Sequence, residues 1–151
     1  MAFLALSASA AGATTVLLDT RLAAMPADMP DTDMDTVNAM EAGFMDELFD
    51  SGHIFFNLYT PVDAASDPGK DLLPLHIAKR DGAAFLIRLT PDLEGETLEW
   101  KLFSVDPADL VETSVLDLAD VPSDPGDKVL DRWYAAGSRT AHDVIARMDD
   151  F

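Results

Sequence analysis

Two stretches decide the fold: Met45-Asp-Glu-Leu-Phe-Asp-Ser-Gly52, which runs into His53-Ile-Phe-Phe-Asn-Leu-Tyr59, and Leu75-His-Ile-Ala-Lys-Arg-Asp-Gly82, which runs into Ala83-Ala-Phe-Leu-Ile-Arg-Leu89. Each is a helical pattern, a glycine suited to the left-handed stop position, and then a run of strand-forming apolar residues. Two such junctions in tandem imply consecutive αβ units and a partly parallel sheet.

Working outward, Thr15 to Leu22 reads as a first strand whose continuous apolar centre suits a position buried on both faces. Residues 23–35 are rich in Met, Pro and Asp and read as a loop. A helix is expected over Thr36 to Ser51, because Val37, Met40, Phe44 and Leu48 recur at helical spacing. Gly43 in its middle lowers helix propensity and is expected to let the helix approach the sheet. His53 to Tyr59 is the second strand. Asp71 to Asp81 is a short helix with Asp71 as its N-cap, and Ala83 to Thr90 is the third strand. Thr97 to Val105 then alternates, with Leu98, Trp100 and Leu102 on one face and Glu99, Lys101 and Phe103 on the other. The turn Asp106-Pro-Ala-Asp109 leads to a strand over Leu110 to Leu118, so the last strands form an antiparallel meander. Asp127 to Asp149 is a closing helix with Val129, Trp133, Ala136, Thr140, Val144 and Met148 on its apolar face. The expected fold is a single α/β domain with a mixed five-stranded sheet in the order β-α-β-α-β-β-β-α, and right-handed crossovers put the first two helices on the faces of the sheet.

Composition excludes several functions. The net charge is -18, from 28 acidic and 10 basic residues, most of the acids being aspartate. Such a surface repels nucleic acid, whose binding relies on Lys and Arg at phosphates, and it repels anionic membranes. It favours basic partners, divalent cations and solubility. With no cysteine there is no thiol nucleophile, Cys-type zinc site, disulfide or lipid-bearing cysteine. Residues 1–13 carry no charge, and Ala8-Ser-Ala10 and Ala11-Gly-Ala13 are small-x-small cleavage patterns. Residues 1–13 therefore read as the remnant of a secretory signal lacking its positive start, and residues 14–151 as the domain. The expected location is periplasmic or secreted, without stable membrane insertion.

Residue patterns that carry chemistry are sparse. Met25, Met29 and Met34 offer soft thioethers that suit Cu(I), but hard aspartates interleave them and the loop holds no histidine. Asp31, Asp33 and Asp35 have the spacing that opens a calcium loop, yet the sixth and twelfth positions are Thr36 and Ala42, where Gly and Glu are required. Helix-capping acids explain them better. His53, His76 and His142 lie on separate elements, and His53 directly follows the helix-stop glycine. No nucleophile elbow, phosphate loop or dinucleotide fingerprint is present. The acid pairs Glu94 with Glu96 and Asp149 with Asp150 are expected at the surface. Lys79-Arg80-Asp81, the one basic cluster, suits the last turn of a helix. No catalytic, cofactor-binding or metal-binding residue is assigned.

The element order, the phrase Ile77-Ala-Lys-Arg-Asp-Gly-Ala-Ala-Phe-Leu-Ile87, and Ala136-Gly137 followed by Ala141 in the closing helix resemble an envelope superfamily. It includes the CsgG and LpoB lipoproteins and the amino-terminal domain of TolB. The resemblance spans Thr15 to Met148. It implies a non-catalytic exported domain that binds another envelope protein through the meander's strand edge or the Pro-rich loops. The chain departs from the lipoproteins in lacking the lipidated cysteine, and it has no insertion long enough for a membrane barrel. The rival expectations are a small metal-dependent hydrolase using Asp or His, and a metal-handling protein using the loop 25–35.

Overall fold

The structure is a computed structural model and describes residues 13–151. The signal-like segment therefore lies, but for Ala13, outside the described residues. The elements are β1 (Thr15–Leu22), α1 (Asp31–Asp50), β2 (Ile54–Pro61), a single helical turn α2 (Pro68–Asp71), α3 (Leu73–Arg80), β3 (Phe85–Asp92), β4 (Thr97–Val105), β5 (Ala108–Asp117) and α4 (Val129–Asp149). The strands form one sheet in the order β2-β1-β3-β4-β5. β1 runs parallel to both β2 and β3, while β3, β4 and β5 are antiparallel in sequence. The fold is thus the mixed five-stranded α/β domain expected.

Both junctions close in the same way. The Gly52 and Gly82 backbones adopt φ of 80° and 76°. At the first, the His53 N–H donates to the Leu48 carbonyl at 3.0 Å and the Gly52 N–H to Phe49 at 2.9 Å. At the second, Ala83 donates to Ala78 at 2.9 Å and Gly82 to Lys79 at 3.3 Å. These paired bonds satisfy carbonyls the helix end leaves free, and they turn the chain into the next strand.

The sheet divides the core in two. On one face α1 and α4 pack over Val16, Leu18, Ile87, Leu89, Leu98, Trp100 and Leu102. On the other, Ala78 of α3 meets Leu17, Leu86, Ala83 and Val105. α1 and α4 also pack against each other extensively.

Four expectations need correction. α1 begins at Asp31, five residues earlier than expected, so Asp31 and Asp33 occupy its first turn after Pro30. Asp71 does not cap a helix: Asp67 does, accepting from the Gly69 N–H, and Asp71 is free for another role. Gly43 faces α4 rather than the sheet, since a Cβ there would overlap the Tyr134 carbonyl. Val129 is 57% exposed and stays out of the core, because α4 reaches the sheet only from Trp133 onward.

Candidate functional site

The α3 face of the sheet carries a buried ionic network where apolar residues would be expected. Asp19, in the middle of β1, is wholly buried. Its Oδ1 accepts from the Thr60 hydroxyl of β2 at 2.5 Å, and its Oδ2 accepts from Arg88 Nε of β3 at 2.9 Å. Arg21 and Arg88 both turn toward Asp71: Arg21 Nη2 donates to Oδ1 at 2.6 Å, and Arg88 Nη1 to the same oxygen at 3.3 Å. Arg88 Nη2 also donates to the Asp71 carbonyl at 3.2 Å. Arg21 Nε stands 3.5 Å from Asp19 Oδ2 without making a hydrogen bond. The Arg88 guanidinium sits 5.4 Å from the centre of the Phe103 ring. Two guanidiniums and two carboxylates thus balance, as buried charges must. The network ties α2 to three parallel strands.

A second polar group lies on the opposite face. Glu41 of α1 is 2% exposed and accepts from the Thr20 hydroxyl and, at 2.9 Å, from the Tyr59 hydroxyl. Burial raises the Glu41 pKa above the usual carboxylate value, against the two hydrogen bonds that lower it. Tyr59 is pushed up to about 12, first by burial and then by the neighbouring Glu41 charge.

Neither group follows from a motif in the sequence. A signal is present: Asp19 and Arg88 are charged residues directly after the apolar runs Val16–Leu18 and Phe85–Ile87, and Arg21 follows Asp19 on the same strand. In strands buried on both faces, such residues must find partners.

The sequence candidates do not converge. Met29 and Met34 pack against the core, whereas Met25 is 39% exposed. Asp31, Asp33 and Asp35 lie along the start of α1. His53 begins at the helix stop with its Nδ1 buried and unbonded, His76 is exposed on α3, and His142 Nε2 lies 3.3 Å from Glu47 on α1. Among the described residues no group of three His, Cys, Asp or Glu side chains is arranged to hold a metal. Arg80 and Asp81 pair at 2.6 Å, which holds the Asp81 carboxyl below the usual range. Glu96 pairs with Arg132 at 3.0 Å, so it does not act with Glu94, and Asp149 and Asp150 are exposed.

What remains open is the outer half of the α3 face. α3 lies over β1 and β3 and the near side of β4. Beyond it, β4 presents Glu99, Lys101 and Phe103, and their register partners on β5 are Val115, Thr113 and Leu110. Leu110 is 48% and Val115 62% exposed. Among the described residues β5 is the last strand of the sheet, and its outer backbone edge has no neighbouring strand there. A register shift between Leu102 and Phe103 marks a bulge near Val111. No helix among the described residues is long and apolar enough to cross a membrane.

No protein-family model matches the sequence, and no curated protein matches it. Among solved structures the chain is similar to a PelC dodecamer subunit from Paraburkholderia phytofirmans, with TM-score 0.44 and 10% identity over 86% of this chain and 87% of that one. It is also similar to part of Giardia lamblia prolyl-tRNA synthetase in complex with prolyl-adenylate, with TM-score 0.32 and 13% identity over 85% of this chain and 26% of the synthetase. At these scores neither likeness bears on activity, ligand or partner.

Proposed function

We propose that the chain is a non-catalytic, exported protein-binding domain of the cell envelope. The observation that carries this reading is the uncovered β4–β5 half of the sheet, with Leu110 and Val115 exposed beside a free strand edge. An extended segment of a partner adds to the β5 edge through main-chain hydrogen bonds, and its alternate side chains lie on Leu110 and Val115. Asp109 and Asp117 near the two ends of β5, within a chain of net charge -18, select a partner segment bearing Lys or Arg, whereas Glu112 is taken by Arg147 of α4 at 2.6 Å. The same acids discourage β5 from pairing with its own copies, since like charges along an edge repel. Kinship with the CsgG, LpoB and TolB amino-terminal domains belongs to this reading and rests on the sequence phrase Ile77–Ile87. The closed ionic network and the scattered histidines support binding over hydrolysis.

The test is affinity capture from the source organism's envelope extract, with residues 14–151 as bait and the Leu110→Arg/Val115→Arg double variant in parallel. Matching circular dichroism spectra establish that both baits are folded. A stoichiometric partner held by the native domain and lost from the variant is expected. Equal capture by both, or none above control, overturns the reading.

A further inference from the structure

We propose that a cleft at the carboxyl ends of β1 and β3 binds a small organic monocation, an ammonium group on an apolar body. The cleft encloses about 490 Å³, within the range of organic-ligand sites. Topology creates it. From the end of β1 the chain leaves toward α1 and β2, on one side of the sheet order. From the end of β3 it leaves toward β4, on the other side. Adjacent parallel strands whose connections diverge leave a crevice outside their carboxyl ends, where ligands of α/β sheets are held.

The chemistry of the walls selects the ligand. Leu22, Met29, Val37, Val62, Pro91 and Leu93 make the wall apolar. The charged groups of the lining are Asp33, Asp92 and Glu94, and no Lys, Arg or His belongs to it. The side-chain carboxylates of Asp33 and Glu94 have no hydrogen-bond or ion-pair partner among the described residues. Asp92 accepts from the Gly95 N–H through Oδ1 at 2.9 Å, so its second oxygen remains for a ligand. An anion is disfavoured by three carboxylates. A hard metal ion is disfavoured by a wall that offers carbon and a thioether where it needs several oxygens. A cation with an apolar body uses both features: the body leaves water against Val62, Met29 and Leu93, over the buried Leu22 and Val37, and the ammonium stays at the acidic rim. Walls from the start of α1, the β3–β4 turn and Val62 bound the cleft on three sides. That concavity suits a small molecule, and the cleft shares no residue with Leu110, Thr113 or Val115. The inference therefore stands apart from the protein-binding reading.

The test uses the full chain and three probes of the same body: 4-phenylbutylamine, 4-phenylbutanol and 4-phenylbutyrate. Affinities are read from backbone amide shifts in two-dimensional NMR. The amine is expected to move the amides of Ala23 and Thr90 to Glu94, excepting Pro91, and to bind at least tenfold more tightly than the alcohol, with the butyrate weaker still. The double variant Asp33→Asn/Glu94→Gln should weaken the amine at least tenfold and leave the alcohol unchanged. Amine shifts spread over the acidic surface and indifferent to the double variant would overturn the proposal, as would amine and alcohol binding alike.

Discussion

Gly43 and Gly137 meet where α1 crosses α4, and each lies against the other helix's backbone. A Cβ on Gly43 would overlap the Tyr134 carbonyl, and one on Gly137 would overlap the Met40 carbonyl. The contact is flanked by polar links between the same helices: Tyr134 donates to Asp46 at 2.8 Å and Ser138 to Glu47 at 2.7 Å. Small residues at the crossing let the two helices share one face of the sheet while both cover its core. Either Gly→Ala substitution forces backbone apart, so each is expected to cost about 2–3 kcal/mol. Urea denaturation measures this. A neutral or stabilising Gly137→Ala would refute the close crossing, because alanine improves helix propensity wherever space allows.

Asp19 is expected to be the most sensitive charge in the protein. Asp19→Ala leaves Arg88 and Arg21 buried with only Asp71 between them, at a cost of about 3–5 kcal/mol. Asp71→Ala is expected to cost less, because the Asp71 side chain is 35% exposed and water can reach the guanidiniums it leaves. Equilibrium unfolding of both variants tests the ranking, and the reverse order would show that the network is anchored from α2 rather than from β1.

Glu41 and Tyr59 predict a pH dependence with a definite sign. Folding raises the Glu41 pKa from 4.5, so the folded chain holds that proton where the unfolded chain has lost it. Its contribution to stability is full below about pH 4.5 and is lost as pH rises through the raised value. For Tyr59 the contribution is full below pH 10 and is lost as pH rises through about 12. In Glu41→Gln the Glu41 contribution to the acid-side slope disappears, and Tyr59 ionises at lower pH because the negative charge beside it is gone. Tyrosinate absorbance in a Tyr134→Phe background isolates Tyr59, since the chain has two tyrosines. An unchanged Tyr59 midpoint in Glu41→Gln would contradict the pairing.

At the twin helix stops, strain is confined to the backbone. A Cβ at Gly52 or Gly82 would meet nothing within 4 Å, yet both residues hold positive φ. Gly52→Ala and Gly82→Ala are each expected to cost about 1–2 kcal/mol, which thermal unfolding resolves. No loss at either position would mean the left-handed turn is not required there.

Much of the fold was legible because its signals are local. Gly52 and Gly82 punctuate helices whose periodicity is clear, and Leu98, Trp100 and Leu102 alternate cleanly in β4. The start of α1 was not legible: Pro30 and three aspartates look like loop composition, although Pro before a first turn rich in Asp suits a helix start. Asp71 was misassigned because an aspartate before a helix satisfies a capping rule whether or not a distant Arg21 claims it. The Gly43–Gly137 crossing and the Asp19 network depend on partners 94 and 69 residues away. Sequence spacing carries no trace of such pairings. The open β4–β5 face was half legible, since the meander edge was expected, but which face α3 would leave bare depends on how few residues that helix has.

The most direct test of the protein-binding reading is photo-crosslinking from position 115 in the source organism. A photoreactive amino acid replaces Val115, and a control replaces Arg139, whose side chain is 57% exposed on α4. A discrete adduct with one partner from position 115, absent from position 139, is the predicted result. Equal adducts from both positions, or none from 115, would contradict a binding surface on β5.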